Sequence, residues 1–348
     1  MSLSPLSPAE AHHHLLALPG DVLHEEVQVL AWTRFPRSVA VPGEPTRRES
    51  RSAAAGARTI QLSRLSALVG PYGLDQDSAR GLGLPAATGI VYVLRAPVER
   101  GEPPWPESGD RDGFGRAFPS GLPVRDEARV LDWALAVARR LGGALRTAPG
   151  PGDRPGNLLV PEPAAAVDLT VWSEVWLEPE DALAVMRQAV PRASLNLPGA
   201  AWQGPPPGVG ERAVVGAEVL TSEQRAAIHA AADAYDLAAL ANPEPMRAYG
   251  AVADLDADGL LALEVRGEPA PPPVIAGLPW AGRGAVTYLV RWEPPDLDDL
   301  ESELPPTAHR VARSRVTPLV VAITRALHRT VGGEVTDMMG FIVDPADL

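Results

Sequence analysis

An α+β fold made of two copies of one α-β-β-β-α-β unit is what this sequence predicts, and three recurrences predict it. Gly83-Leu84-Pro85 runs into Gly89 and an apolar stretch ending Tyr92-Val93-Leu94-Arg95; Gly277-Leu278-Pro279 runs into Gly284 and a stretch ending Tyr288-Leu289-Val290-Arg291. Each stretch leads through a Pro-rich loop to an amphipathic helix that stops at a double glycine, Gly142-Gly143 and Gly332-Gly333. Each helix is followed by a short apolar strand closed by proline, at 158–161 and 341–345. Ordered signals that recur along a chain mark an internal duplication. Several strand runs with only two helices per copy argue against a doubly wound sheet. A ferredoxin-like two-layer sandwich, with the sheet on one side and two helices on the other, fits the order. The expected domains are 1–165 and 212–348, with 166–211 a strand-helix segment and Pro-rich linker between them.

The elements follow in chain order. Ser7-Pro8-Ala9-Glu10 combines a capping serine, a first-turn proline and a capping-box glutamate, so a helix is expected from there to Pro19-Gly20. In 25–35, Val27, Val29 and Ala31 alternate with Gln28, Leu30 and Trp32, which reads as a strand. Residues 41–57 are polar and rich in Arg, Pro and Gly, a loop, and 59–65 is a second strand. The run 90–95 is apolar on both faces, as a central strand covered by other layers requires. Residues 97–124 are an irregular excursion, and 126–141 has the three- and four-residue apolar spacing of a helix.

Between the copies, 168–177 alternates as a strand carrying Trp172 and Trp176, and 180–190 has a helical face of Leu183, Met186 and Val190. The linker 191–210 contains Pro205-Pro206-Pro207. The second copy opens with a strand at 212–220, and Thr221 caps a helix with Gln224 at the capping-box position. Residues 249–254 and 260–266 form a hairpin around Ala257-Asp258-Gly259, and 285–291 is the repeated strand. Thr317-Pro318 reads as the start of the last helix, with Leu319, Ile323, Leu327 and Val331 on one stripe.

Composition excludes several chemistries. The 348 residues contain no lysine and no cysteine. Schiff bases, pyridoxal attachment, phosphate-loop lysines, thiol nucleophiles, disulfides and cysteine metal sites are therefore ruled out. The net charge of −13 repels a phosphate backbone, so no nucleic-acid partner is expected. Arg310, Arg313, Arg315, Arg325 and Arg329 read as a solvated helix face balancing the acidic run Asp296 to Glu303. No apolar run is long enough to span a membrane, and the N-terminus lacks the pattern of a signal peptide, so a cytoplasmic protein is expected.

Two constellations could carry function. Asp254, Asp256 and Asp258 followed by Gly259 match the first half of a calcium loop. Position twelve is Val265 rather than glutamate, and the same residues also suit a hairpin turn. His12-His13-His14 cannot converge on one ion if helical, because neighbours point about 100° apart. The repeated Tyr-x-x-Arg is the second constellation. Tyr92 and Tyr288 fall on the opposite strand face from Arg95 and Arg291. The two guanidinium groups could hold an anion or a partner's carboxylates, or could simply pair with a local acid such as Glu99 or Glu293. No nucleophile-base pattern and no dinucleotide loop is present, and no cofactor is expected. The expectation is a non-enzymatic protein that binds a protein partner or small anionic ligand in the groove between two related domains, with Trp105, Trp202 and Trp280 on recognition loops. The alternative is a metal-dependent hydrolase using the Asp-rich loop at 254–259.

Overall fold

The computed structural model describes residues 3–36, 58–105, 109–150, 155–196, 221–224, 226–228, 230–231, 234 and 247–348. The chain is α+β, with two antiparallel sheets. The first unit runs β1 (His14–Pro19), α1 (His24–Arg34), β2 (Arg58–Gln61), β3 (Ala67–Gly73), α2 (Gln76–Gly81), β4 (Thr88–Arg95), α3 (Phe114–Ala117), α4 (Arg125–Arg140), β5 (Ala144–Arg146) and β6 (Leu158–Leu159). Its sheet has the order β2-β3-β4-β1-β5-β6. The second unit runs β7 (Leu169–Ser173), α5 (Pro179–Arg187), β8 (Ser194–Asn196), β9 (Ala248–Asp254), β10 (Leu260–Glu268), α6 (Pro273–Ala276), β11 (Ala285–Glu293), α7 (Thr307–Val331), β12 (Glu334–Asp337) and β13 (Ile342–Val343). Its sheet has the order β13-β12-β7-β11-β10-β9-β8. Read from the opposite edge, the first order gives the same sequence of roles, and β8 is an added edge strand.

The N-terminal segment differs from expectation. The Ser7–Glu10 capping box forms, with Glu10 N donating to Ser7 Oγ at 3.3 Å and Ser7 N to Glu10 Oε2 at 3.2 Å. The helix it starts is a single 3-10 turn, Glu10–His12. The apolar run after it is β1, held antiparallel between β4 and β5. Leu16 and Leu18 pack under the helices while Leu15 and Ala17 enter a smaller cluster on the other face. A run apolar at every position satisfies a strand covered on both sides, and that burial outweighs a local cap. Segment 25–35 is a helix, not a strand. Val27, Leu30 and Ala31 are buried at helical spacing, and Val29 and Trp32 are left exposed. Each unit therefore opens strand-helix rather than helix-strand.

The segment 166–190 was expected to stand outside both copies. It instead supplies β7, the strand between β11 and β12, and α5, whose Ala182, Leu183 and Met186 join the second core. The strand expected at 212–220 lies outside the described residues. The helix start at Thr221 is made as read, with Thr221 N donating to Gln224 Oε1 at 2.9 Å and Gln224 N to Thr221 Oγ1 at 3.2 Å. The last helix begins ten residues before the expected Thr317, at Thr307, and carries Pro318 inside it.

One face of each sheet is covered by helices. In the first unit, Trp133 of α4 is fully buried and its Nε1 donates to Leu30 O of α1 at 3.0 Å. In the second, Val320, Ile323 and Leu327 of α7 pack on Val171, Leu263 and Val290 of the sheet. The double glycines do matching work. Gly142 and Gly332 end their helices at positive φ, 65° and 66°. A Cβ on Gly143 would collide with the carbonyl oxygen of Ala17, and one on Gly333 with that of Trp172. The units are locked together by the β12–β13 turn, which places Phe341 in the first unit's core. Arg34 Nη2 donates to Met339 O beside it at 3.0 Å. Among the described residues no helix is long and apolar enough to cross a membrane.

A candidate ligand cleft between the two units

The residues singled out in the sequence separate in space. Tyr92 and Tyr288 are fully buried. The Tyr92 hydroxyl lies 3.2 Å from His24 Nδ1. The Tyr288 hydroxyl donates to Val175 O and accepts from Leu177 N, both at 2.8 Å. Burial pushes both phenols above their ordinary pKa. Each hydroxyl thus meets the segment that follows its unit's first strand, β1 or β7, and neither tyrosine lines a cavity described below. Arg95 and Arg291 lie on the sheet faces opposite the long helices α4 and α7, as the alternation from Tyr92 and Tyr288 requires, and in the first unit that face carries the short helix α2. Arg95 Nη2 is 3.8 Å from Glu10 Oε1. Arg291 pairs with Glu264 at 2.9 Å and with Glu293.

The Asp-rich loop is a hairpin turn. Asp254 Oδ1 accepts from Asp256 N at 2.8 Å, and Gly259 has a φ of 93°. Asp256 pairs with Arg192 at 2.9 Å and Asp258 with Arg315 at 3.2 Å. Among the described residues no three His, Cys, Asp or Glu side chains converge as metal ligands. Of the three loop tryptophans, Trp105 is exposed, Trp280 is half-buried and Trp202 lies outside the described residues.

A cavity of about 270 Å³ opens between the units and includes Arg291. The first unit contributes Arg111 from the loop after β4, and Glu162 and Asp168 come from the connection into β7. The second unit contributes the end of β11, the acidic turn 297–303, and His309 and Arg313 on the first turns of α7. Trp292 organises this end of the sheet. Its backbone N donates to Asp168 Oδ1 at 3.0 Å, its Nε1 donates to Asp258 O at 2.7 Å, and its ring lies 5.0 Å from that of His309.

The electrostatics are two-sided. Burial pushes the Asp168 carboxyl up to about 6, against the Trp292 N–H and the Arg291 and Arg111 guanidinium groups that favour its charge. His309 is only 4% exposed, and burial and then Arg313 hold its imidazole below the ordinary range, so it is neutral at pH 7. Its Nδ1 lies 3.7 Å from Asp299 Oδ2 and makes no hydrogen bond among the described residues. Arg111 Nε, 3.9 Å from Asp112 Oδ2, and Arg291 Nε are likewise buried with no acceptor. Three of the five such buried atoms among the described residues belong to side chains that line this one cavity. Four lining carboxylates are occupied: Glu162 by Arg313, Glu293 by Arg291, Glu303 by Arg116 and Asp112 by Arg139. Asp168, Asp299 and Glu301 have no arginine hydrogen-bonded to them among the described residues.

Sequence reasoning reached Arg291 and missed Arg111, Asp168 and His309. Arg313, read as part of a solvated face, is 5% exposed and paired with Glu162. The acidic run 296–303 was the available signal, since part of it walls the cavity instead of balancing a helix. No protein-family model, curated protein or solved structure matches the chain.

Proposed function

We propose that this is a non-enzymatic binding protein whose small ligand seats in the cleft between two related α+β units. One observation carries the reading. Arg111 Nε, Arg291 Nε and His309 Nδ1 are buried side-chain nitrogens that make no hydrogen bond among the described residues, and their three residues line one cavity. Leaving a buried donor unpaired costs about 1–3 kcal/mol, so a ligand that brings acceptors to these atoms recovers that energy on binding.

The arrangement is best understood as a duplication of a ferredoxin-like unit. Within each copy the split strand-helix-strand pattern is the same: β1, β3, β4 and β5 correspond to β7, β10, β11 and β12. The matched double glycines and the matched tyrosine anchors support this descent. Divergence then left Arg95 on a surface ion pair and gave Arg291 a place in the cleft.

The test is thermal melting with acetate, succinate, inorganic phosphate and leucine, on the wild type and on Arg111→Leu and Arg291→Leu. A rise in melting temperature with a carboxylate or phosphate probe, lost in both variants while their unliganded melting stays near wild type, is the expected result. No shift with any probe at millimolar concentration overturns the reading.

A further inference from the structure

We propose that the cleft's ligand is a zwitterion, an amino acid or other aminocarboxylate whose acid group faces Arg111 and Arg291 and whose ammonium group faces Asp168, Asp299 and Glu301. This rests on reading the cleft as a ligand site. The unpaired groups in the cavity come in two chemically opposite sets. The buried nitrogens Arg111 Nε and Arg291 Nε can only donate, so they call for an acceptor such as a carboxylate.

The carboxylates call for the opposite charge. Asp168 accepts one backbone N–H and has the Arg291 and Arg111 charges nearby, Asp299 faces only the neutral His309 at 3.7 Å, and solvent-exposed Glu301 makes no side-chain hydrogen bond or ion pair among the described residues. A ligand that is only an anion would satisfy the donors while meeting the partly buried carboxylates of Asp168 and Asp299, a repulsion that grows as water leaves the cleft. A ligand that is only a cation would leave the guanidinium nitrogens unpaired. One molecule with both charges meets both needs. Buried His309 Nδ1 lies between these sets in role: neutral imidazole presents either a donor or an acceptor there, according to its tautomer.

The raised carboxyl of Asp168 fits the same picture. An ammonium group beside it would favour the charged form, so binding at pH 6 should release protons to the buffer.

The experiment is isothermal titration with matched sets of probes: leucine with 4-methylpentanoate and isopentylamine, and 5-aminopentanoate with pentanoate and pentylamine. At least one zwitterion should bind at least about tenfold more tightly than both of its single-charge analogues, the loss expected for one charge-assisted hydrogen bond. Glu301→Gln should lose that advantage while keeping the affinity for the carboxylate alone, and Arg111→Leu should lose both. Equal binding by the carboxylate alone, or by the amine alone, overturns the zwitterion and leaves the cleft as a ligand site. Binding by none of the probes, in a protein that melts cooperatively, overturns both.

Discussion

Tyr92 and Tyr288 stand in equivalent cross-strand rows of their two sheets. Tyr92 is opposite Leu16, which is opposite Leu145, which is opposite Leu159. Tyr288 is opposite Val171, which is opposite Val335, which is opposite Val343. Three residues further along each strand, Arg95 is opposite Ala67 and Arg291 opposite Ala262. A shared register is harder to reach by chance than a shared strand count, since a slip of one residue turns every side chain to the other face.

Trp133 and Leu327 bear the packing of the two long helices, and each is fully buried. Trp133→Ala should lose about 3–5 kcal/mol and Leu327→Ala about 2–5 kcal/mol in denaturant unfolding, the usual range for such cavities. A loss below about 1 kcal/mol for either would show that the helix face had been assigned wrongly.

The double glycines should respond unequally to alanine. Gly142→Ala and Gly332→Ala meet open space and strain only the backbone, Gly142 at a φ of 65° and Gly332 at a φ of 66° with a ψ of −156° that favours glycine more strongly, costing about 1–3 kcal/mol. Gly143→Ala and Gly333→Ala drive a methyl into a strand carbonyl and should cost about 3 kcal/mol or more. Unfolding curves for the four variants check the order within each pair. Equal losses would mean that helix and strand can separate freely there.

Acid should act on the two units with opposite sign. His14 Nδ1 accepts from Ala148 N at 2.9 Å, so its Nε2 carries the hydrogen and donates to Glu127 Oε1 at 3.2 Å. Burial, and next Arg100, lower its pKa from 6.5 to about 4. A depressed value means protonation favours the unfolded chain, so this contribution is complete above about pH 6.5 and is lost as pH falls toward about 4. Asp168 is the reverse. Its pKa is raised from 3.8 to about 6, so the folded state takes up the proton first and gains stability as pH falls from about 6 toward 4. Unfolding measured between pH 7 and 4 should show Asp168→Asn with a steeper acid loss than wild type and His14→Gln with a shallower one.

Calcium or magnesium at millimolar concentration should leave the melting temperature unchanged. Asp256 and Asp258 are already held by Arg192 and Arg315, and a cation would have to displace both. A clear upward shift, abolished by Asp254→Asn, would restore the hydrolase alternative.

How much of this was legible depends on whether the deciding contact was local. α4 was readable because its apolar spacing is unambiguous over four turns, and β4 because its run is apolar on both faces. The Ser7–Glu10 cap was read correctly, but its helix was not there, since β1 is decided by distant β4 and β5. In 25–35, Val27 and Ala31 fit both a two-residue and a four-residue period, and only the sheet beneath selects the helix. β7 was recognised as a strand yet assigned to neither copy, because its partners begin more than a hundred residues later. The cleft left almost no trace. Arg111, Asp168, Arg291 and His309 share no motif and come together only when two sheets meet.

Pro318 has a mechanical meaning in this setting. It supplies no N–H to the carbonyl of Ser314, so the ladder of α7 skips a rung near its middle. Thr317 Oγ1 donates to Arg313 O at 2.8 Å just before the gap. The turns before it present His309 and Arg313 to the cleft and also bury Ala312 and Val316 in the second core, which Val320, Ile323 and Leu327 continue after it. One helix is thus wall and foundation at once, and the core contacts on either side of the missing rung span the gap that the proline leaves in the ladder.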